Sequence, residues 1–267
     1  MLTTEQRQHK NRIANNWLPR YTGSQMGEFG EYILLTNFHF YIEEFARLAE
    51  KTKNIKHGQQ NTPMSCVHAG NISMINFGIG APNAALVADL LSVVNPKAVL
   101  FLGKCGGLLD RNRIVNIGDY ILPTAAIRGE GTSDHFYPKE VPALPSFAIQ
   151  KEAANVIEEN HQIYHSGTVY TTNLRLWEHD DHFKEYLRQL RCIGIEMETA
   201  ALFIACFANH IPHGALLMVS DLPLVKVKTE EADKVVTTQY APLHVAIGIE
   251  TLSRIAASGK SMRYLTY

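Results

Sequence analysis

Apolar positions along the chain switch between a strand period and a helix period, and the switches outline a repeating strand–helix order. Residues 32–36, YILLT, form a short apolar run with the pattern of a buried strand. The next stretch, FHFYIEEFARLAEKTK, spaces its apolar residues like an amphipathic helix, and KNIKHGQQNTP reads as an exposed loop. Strands are predicted at 64–69 and 72–80, with Gly70-Asn71 as the turn between them. An Ala- and Leu-rich helix, APNAALVADLLSVV, follows with Pro82 in its first turn, where a missing N–H costs little. Residues 97–102 are the next apolar strand, ending at Gly103. Strand, helix, strand in that order is a parallel crossover unit. Further strands are predicted at 119–127, 166–172, 192–197 and 214–220, and helices near 146–159, 180–190, 198–209 and 239–257.

Residues 1–30 break this pattern. They are polar, contain Pro19, Gly23, Gly27 and Gly30, and read as a short helix followed by an irregular approach to the fold. With no repeat, low-complexity tract or composition break after them, 31–267 is expected to be one α/β domain: a mixed, mostly parallel central sheet flanked by helices.

Composition narrows the class of function. A net charge of −1 leaves no basic stripe for a nucleic acid, so a small-molecule partner is expected. Cys66, Cys105, Cys192 and Cys206 show neither C-x-x-C pairing nor metal-ligand spacing, which points to a reducing compartment and no metal. The N-terminus has no apolar signal-peptide core, and no apolar run is long enough to span a membrane. The expectation is a soluble cytoplasmic protein with no membrane partner and no cofactor.

In open α/β sheets, ligands collect beyond the carboxyl ends of the strands. Polar or glycine residues sit at such ends in TNFH (36–39), GIGAPN (78–83), GKCGG (103–107), TTNLRLW (171–177) and SDLPL (220–224). Each is weak alone: Gly78-x-Gly80 lacks the third glycine of a dinucleotide fingerprint, and Gly103-Lys104 lacks the spacing of a phosphate loop. Both could be plain turns. Glu196 and Glu198 flank Met197 just before the helix TAALFIACFA, so each carboxylate is either a favourable charge at a helix N-terminus or an acceptor for two neighbouring hydroxyls. Asp221 follows the apolar run ALLMV, at the mouth of a buried strand, where a carboxylic acid can hold a proton and deliver it to a leaving group. The alternative is a cap, with Ser220-Asp221 before a short turn. His179-Asp180-Asp181-His182 has metal-like residue types but reads as a solvated helix start, and Trp17 and Tyr21 read as packing anchors.

IEMETAALF and VSDLPL, in this order and separation, resemble the ribose-binding and base-binding segments of the nucleoside phosphorylase and nucleosidase superfamily. GKCGG, NIGDYILP and AIRGEGTSDHFYP resemble further landmarks of it. RYTG (20–23), YILLTNFHFYIEEF (32–45), GIGAPNA (78–84), LGKCGGL (102–108) and GTVYTTNLRLWE (167–178) resemble the AMP nucleosidase branch, in its catalytic part and without the N-terminal domain of the longer members. The resemblance implies that Glu198, with Glu196 beside it, accepts from the ribose 2′ and 3′ hydroxyls while Met197 packs on the sugar. It implies that Asp221 protonates or hydrogen-bonds purine N7, with Thr171, Thr172, Arg175, Trp177 and Ser220 on the base side.

Phosphorylases of the superfamily hold the attacking phosphate with two arginines and a serine; the matching places are Phe101, Phe40 and Lys104. Water is then the implied nucleophile, since a dianion without bidentate partners is poorly held. A substrate 5′-phosphate would fall to Lys104, Arg20, Thr36 and Asn37, with Arg128 behind them. The expected reaction is hydrolysis of AMP to adenine and ribose 5-phosphate. The competing readings are a phosphorylase or nucleosidase for unphosphorylated nucleosides and, in a different class, a nucleotide-binding regulator without turnover. The resemblance also implies a homo-oligomer built from dimers, up to a hexamer.

Overall fold

The computed structural model describes residues 3–50, 54–108, 115–225 and 230–262. Strand β1 (Tyr32–Thr36) lies between β4 (Ile72–Asn76) and β5 (Ala98–Gly107), parallel to both, and all five of its residues are buried. A strand covered on both faces needs an unbroken apolar run, which is the reason for YILLT. Beyond β4, β3 (Cys66–Ala69) and β2 (Ile55–His57) extend the sheet antiparallel. On the other side of β5 come β8 (Gly194–Glu196), β7 (Tyr164–Thr172), β6 (Tyr120–Gly129) and β9 (His213–Asp221), and β9 pairs back onto β5. The mixed, mostly parallel sheet is as expected, but part of it closes: five strands form a ring and four continue as an open wing.

Helices cover both faces. α2 (His39–Ala49), α4 (Phe147–Glu159) and α8 (Ala241–Ser258) pack around Leu34, Leu100 and Leu216. α1 (Thr4–Thr22), α3 (Ala81–Leu91) and α6 (Thr199–Ala208) pack around Ile33, Val99 and Leu217. Adjacent residues of one strand thus feed opposite cores, as the strand period of two requires. α6 is apolar on every side because every residue from Thr199 to Cys206 is buried. α5 (Asp181–Gln189) packs against β7 through Leu187 and Tyr170, and its start is capped by Asp180, which accepts from the N–H of His182 and Phe183. The HDDH stretch is therefore a helix start, as its polarity suggested. α7 (Glu230–Val235) and a π-helical turn (Val236–Tyr240) lead into α8. Among the described residues, no helix is long and apolar enough to cross a membrane.

Four local expectations change. α1 spans 19 residues, not a short segment: a capping box of Thr3 and Gln6 starts it, and one narrow stripe, Ala14, Leu18 and Thr22, holds it to the core. So narrow a stripe leaves most of the helix polar. Residues 55–57, inside the expected loop, form edge strand β2, which is too short and too exposed to carry an alternating pattern. β4 stops at Asn76, four residues before Gly80. β5 continues through GKCGG to Gly107, paired with β9, and its glycines serve that close packing: a Cβ on Gly106 would stand 2.8 Å from Pro223 Cγ.

Candidate active site

A cavity of about 270 Å³ opens where the ends of β5, β7, β8 and β9 meet. Lys104, Glu198 and Asp221 face it from three sides, and Met197, Thr172, Trp177 and Ser220 share its lining. Asn37 and Phe38 close it from the end of β1. The strand-end segments singled out by composition are thus brought to one place. A larger open groove of about 750 Å³, between α1 and the ends of α3 and α6, contains none of them.

The head of α6 is built by two buried groups. Glu196 Oε2 accepts from the N–H of Glu198 at 2.8 Å and of Thr199 at 2.6 Å, and its Oε1 accepts from Thr171 Oγ at 2.5 Å. The Thr171 hydroxyl in turn accepts from the N–H of Ala200 at 2.9 Å. This is a helix cap assembled from a neighbouring strand. It changes two expectations: Glu196 still lines the cavity, but both its oxygens are spent on the helix head, and Thr171 is sealed beneath it instead of facing the base. Burial also pushes the Glu196 carboxyl pKa up, against the pull of these hydrogen bonds.

Glu198 is held differently. Its Oε1 accepts from the N–H of Gly80 at 2.8 Å and its Oε2 from the N–H of Met197 at 3.2 Å, and the Asn37 amide beside it favours the ionised form. It is 2% exposed and lies in the cavity wall. Burial first, then the negative Glu196 beside it, push its pKa up to about 7, against the three donors that favour the ionised form.

Asp221 ends β9, half-buried at the cavity. Ser220 Oγ lies 2.6 Å from Asp221 Oδ1, as donor, and 3.3 Å from the Cys105 carbonyl oxygen. The hydroxyl thereby orients the acid. Ser220 acts through Asp221 as well as lining the cavity.

Positive charge enters through Lys104. Its Nζ donates to Thr237 Oγ at 3.1 Å and sits 4.4 Å from the centre of the Phe38 ring, a cation–π contact. Arg175 lies at the rim, its side chain 60% exposed, with Nη1 3.1 Å from Glu178. Three other expected phosphate ligands are placed elsewhere. Arg128 is walled in: its five N–H groups go to Ser133, Asp134 and the carbonyls of Pro138, Tyr137 and Val141, leaving none for an anion. Arg20 ends α1, exposed over the Trp17 ring at 5.6 Å and outside the cavity lining. Thr36 is fully buried, its hydroxyl accepting from the N–H of Phe38. Phe101 packs on Phe77 and Phe40 on the α2 side of the core, so neither lines the cavity.

Several lining residues escaped the sequence reading. Phe38, Ile79, Leu174 and Glu178 lie within or next to the segments noted for their strand-end residues, but apolar or paired side chains gave no sign of facing a ligand. Thr237, outside the lining but hydrogen-bonded to Lys104, lies in the turn Val236–Tyr240 far from any strand end and carried no signal at all.

Residues 31–252 match the phosphorylase superfamily. AMP nucleosidase of Escherichia coli (strain K12) is 28% identical over 91% of this chain, which spans 58% of that relative's length. Guanosine phosphorylase of Halorubrum lacusprofundi is 24% identical over 72% of the chain and 79% of its own. Among solved structures, AMP nucleosidase from Bacteroides thetaiotaomicron superposes with a TM-score of 0.81 at 44% identity, covering 93% of this chain and 98% of that one. A uridine phosphorylase from Vibrio fischeri, at 22% identity and TM-score 0.75, covering 86% and 94%, shares the fold. The chain belongs to the phosphorylase superfamily and, within it, to the relatives of the AMP nucleosidases.

Proposed function

We propose that the protein hydrolyses the N-glycosidic bond of a purine nucleotide, turning AMP and water into adenine and ribose 5-phosphate. The observation that carries this reading is the convergence of Glu198, Asp221 and Lys104 on one cavity: a diol acceptor, an acid and a cation. Glu198 grips the vicinal hydroxyls and its negative charge favours a sugar turning oxocarbenium-like. As the N9–C1′ bond breaks, its electron pair moves into the purine and N7 takes a proton from Asp221; water then adds at C1′, and the proton it releases returns to the Asp221 carboxylate. Lys104 is a single point charge suited to the 5′-phosphate, whereas an attacking phosphate dianion is better held by a bidentate guanidinium. Arg175, the arginine at the rim, is already paired with Glu178.

The test is incubation with AMP, adenosine, inosine and GMP, each with and without inorganic phosphate, followed by identification of the sugar product. Adenine and ribose 5-phosphate from AMP in phosphate-free buffer are expected. Turnover strictly dependent on added phosphate would establish a phosphorylase instead, and binding without turnover a regulator. We further infer a homo-oligomer built from dimers, supported by the exposed Ile13, Trp17, Leu174 and Leu176. A cytoplasmic location is supported by four free, buried cysteines.

A further inference from the structure

Asn37 follows β1 directly and lines the cavity beside Glu198. Its side-chain amide lies close enough to the Glu198 carboxylate to favour the ionised form. That proximity orients the amide: the NH2 belongs toward Glu198, because turning the group over would set two acceptor oxygens against each other. The amide oxygen therefore points elsewhere. Among the described residues, Asn37 Oδ1 is buried with no hydrogen-bond partner. Folded proteins keep few such atoms, and each one asks for an account, of which a ligand donor is one and an ordered water another.

The chemistry of the missing partner is restricted. A phosphate ester ionised near neutral pH offers acceptors and no donor, so this oxygen does not serve the 5′-phosphate, and the role first expected for Asn37 changes. A ribose offers two vicinal hydroxyls. Nitrogen and oxygen of the amide share one carbon, so a diol engaged by Glu198 brings one hydroxyl within reach of Oδ1.

We propose that Asn37 reads the sugar: Oδ1 accepts from one of the vicinal hydroxyls while Glu198 accepts from the other. This rests on the cavity being a purine riboside site. A carboxamide suits the task because a third carboxylate beside Glu196 and Glu198 would add like-charge repulsion.

The experiment is steady-state kinetics on ribo, 2′-deoxy and 3′-deoxy forms of one purine, for the wild type, Asn37→Ala and Asn37→Ser. Both variants lose the amide, so either one that folds suffices. The expected loss in kcat/KM on the ribo form exceeds the loss on one deoxy form by roughly 3- to 10-fold, the worth of one neutral hydrogen bond. The same loss on all three sugars overturns the proposal, since it places a nucleophilic water or only the Glu198 contact at Asn37. No loss on any sugar also overturns it and leaves an ordered water at Oδ1. The panel is run in AMP and adenosine series, so cleavage of adenosine alone would end the nucleotide reading while the sugar pattern still decides this one. Equilibrium titration of the same six compounds gives the same comparison if turnover is absent.

Discussion

The backbone N–H of Gly80 donates to Oε1 of Glu198 at 2.8 Å, joining residues 118 positions apart. The bond ties the turn before α3 to the head of α6 and sets the height of the carboxylate in the cavity. Gly80 has φ +99° and ψ 156°, a region open only to glycine. A Cβ there would find space, its nearest contact being Pro82 Cδ at 3.8 Å, so the obstacle to substitution is the backbone itself. Gly80→Ala should cost about 1–3 kcal/mol of stability and lower turnover as the turn shifts away from Glu198. Chemical denaturation and kcat/KM check it; unchanged values for both would show that the turn adapts freely.

Glu198 and Glu196 should separate by experiment. Glu198→Gln removes a charge-assisted partner of the ribose hydroxyls, worth about 1.5–3 kcal/mol, and should impair ribonucleotides more than 2′-deoxyribonucleotides. Glu196→Ala strands the N–H groups of Glu198 and Thr199 in a buried site, so it should lower stability and leave the ribo-to-deoxy ratio unchanged. Glu198 also has a pH signature. Its proton is held more tightly in the folded chain, up to about 7, than at the ordinary 4.5, so between these values the folded state binds more protons and stability falls as pH rises. Glu198→Gln should gain on the wild type in thermal stability across that window. A difference in Tm that is flat from pH 4.5 to 7 would rule this out.

How far the site was legible depended on what each residue does with its polar atoms. β1 and α6 announced themselves because burial on all sides demands unbroken apolar runs, and Asp221 was legible because a carboxylate ending such a run needs a reason. Glu196 and Glu198 look alike in sequence. Only the register of β8 against β7, which sets Glu196 opposite Thr171, separates the cap from the cavity wall. Arg128 was misleading for a related cause: its partners are mostly main-chain carbonyls of residues 137–141, and carbonyls leave no trace in side-chain types. The closure of β9 onto β5 was invisible because ring and open sheet use the same strands.

Asp221→Asn should lower kcat by about 10²- to 10⁴-fold while leaving KM within a few-fold, since a proton delivered in the transition state is worth little in the ground state. Asparagine keeps an oxygen for Ser220 to donate to, so the fold around Asp221 should survive. The check is kcat and KM with matched thermal melts. Near-normal kcat would remove Asp221 from proton transfer.

Lys104 bears on the 5′-phosphate, and its surroundings make the prediction sharper than a charge deletion alone. Its ammonium is steadied by Thr237 Oγ at 3.1 Å and by the Phe38 ring at 4.4 Å, which leaves it half-buried at the cavity edge. A cation in that setting attracts an anion more strongly than an exposed one, because screening by water and salt is reduced. Lys104→Ala should therefore raise KM for AMP at least about 10-fold, consistent with a charged hydrogen bond of roughly 1.5–3 kcal/mol, and leave any adenosine cleavage within a few-fold of wild type. Thr237→Val should move the same ratio in the same direction by less, since it loosens the ammonium without removing it. Equal losses on AMP and adenosine for Lys104→Ala would place the 5′-phosphate elsewhere, and Arg175 at the rim would then be the next position to change.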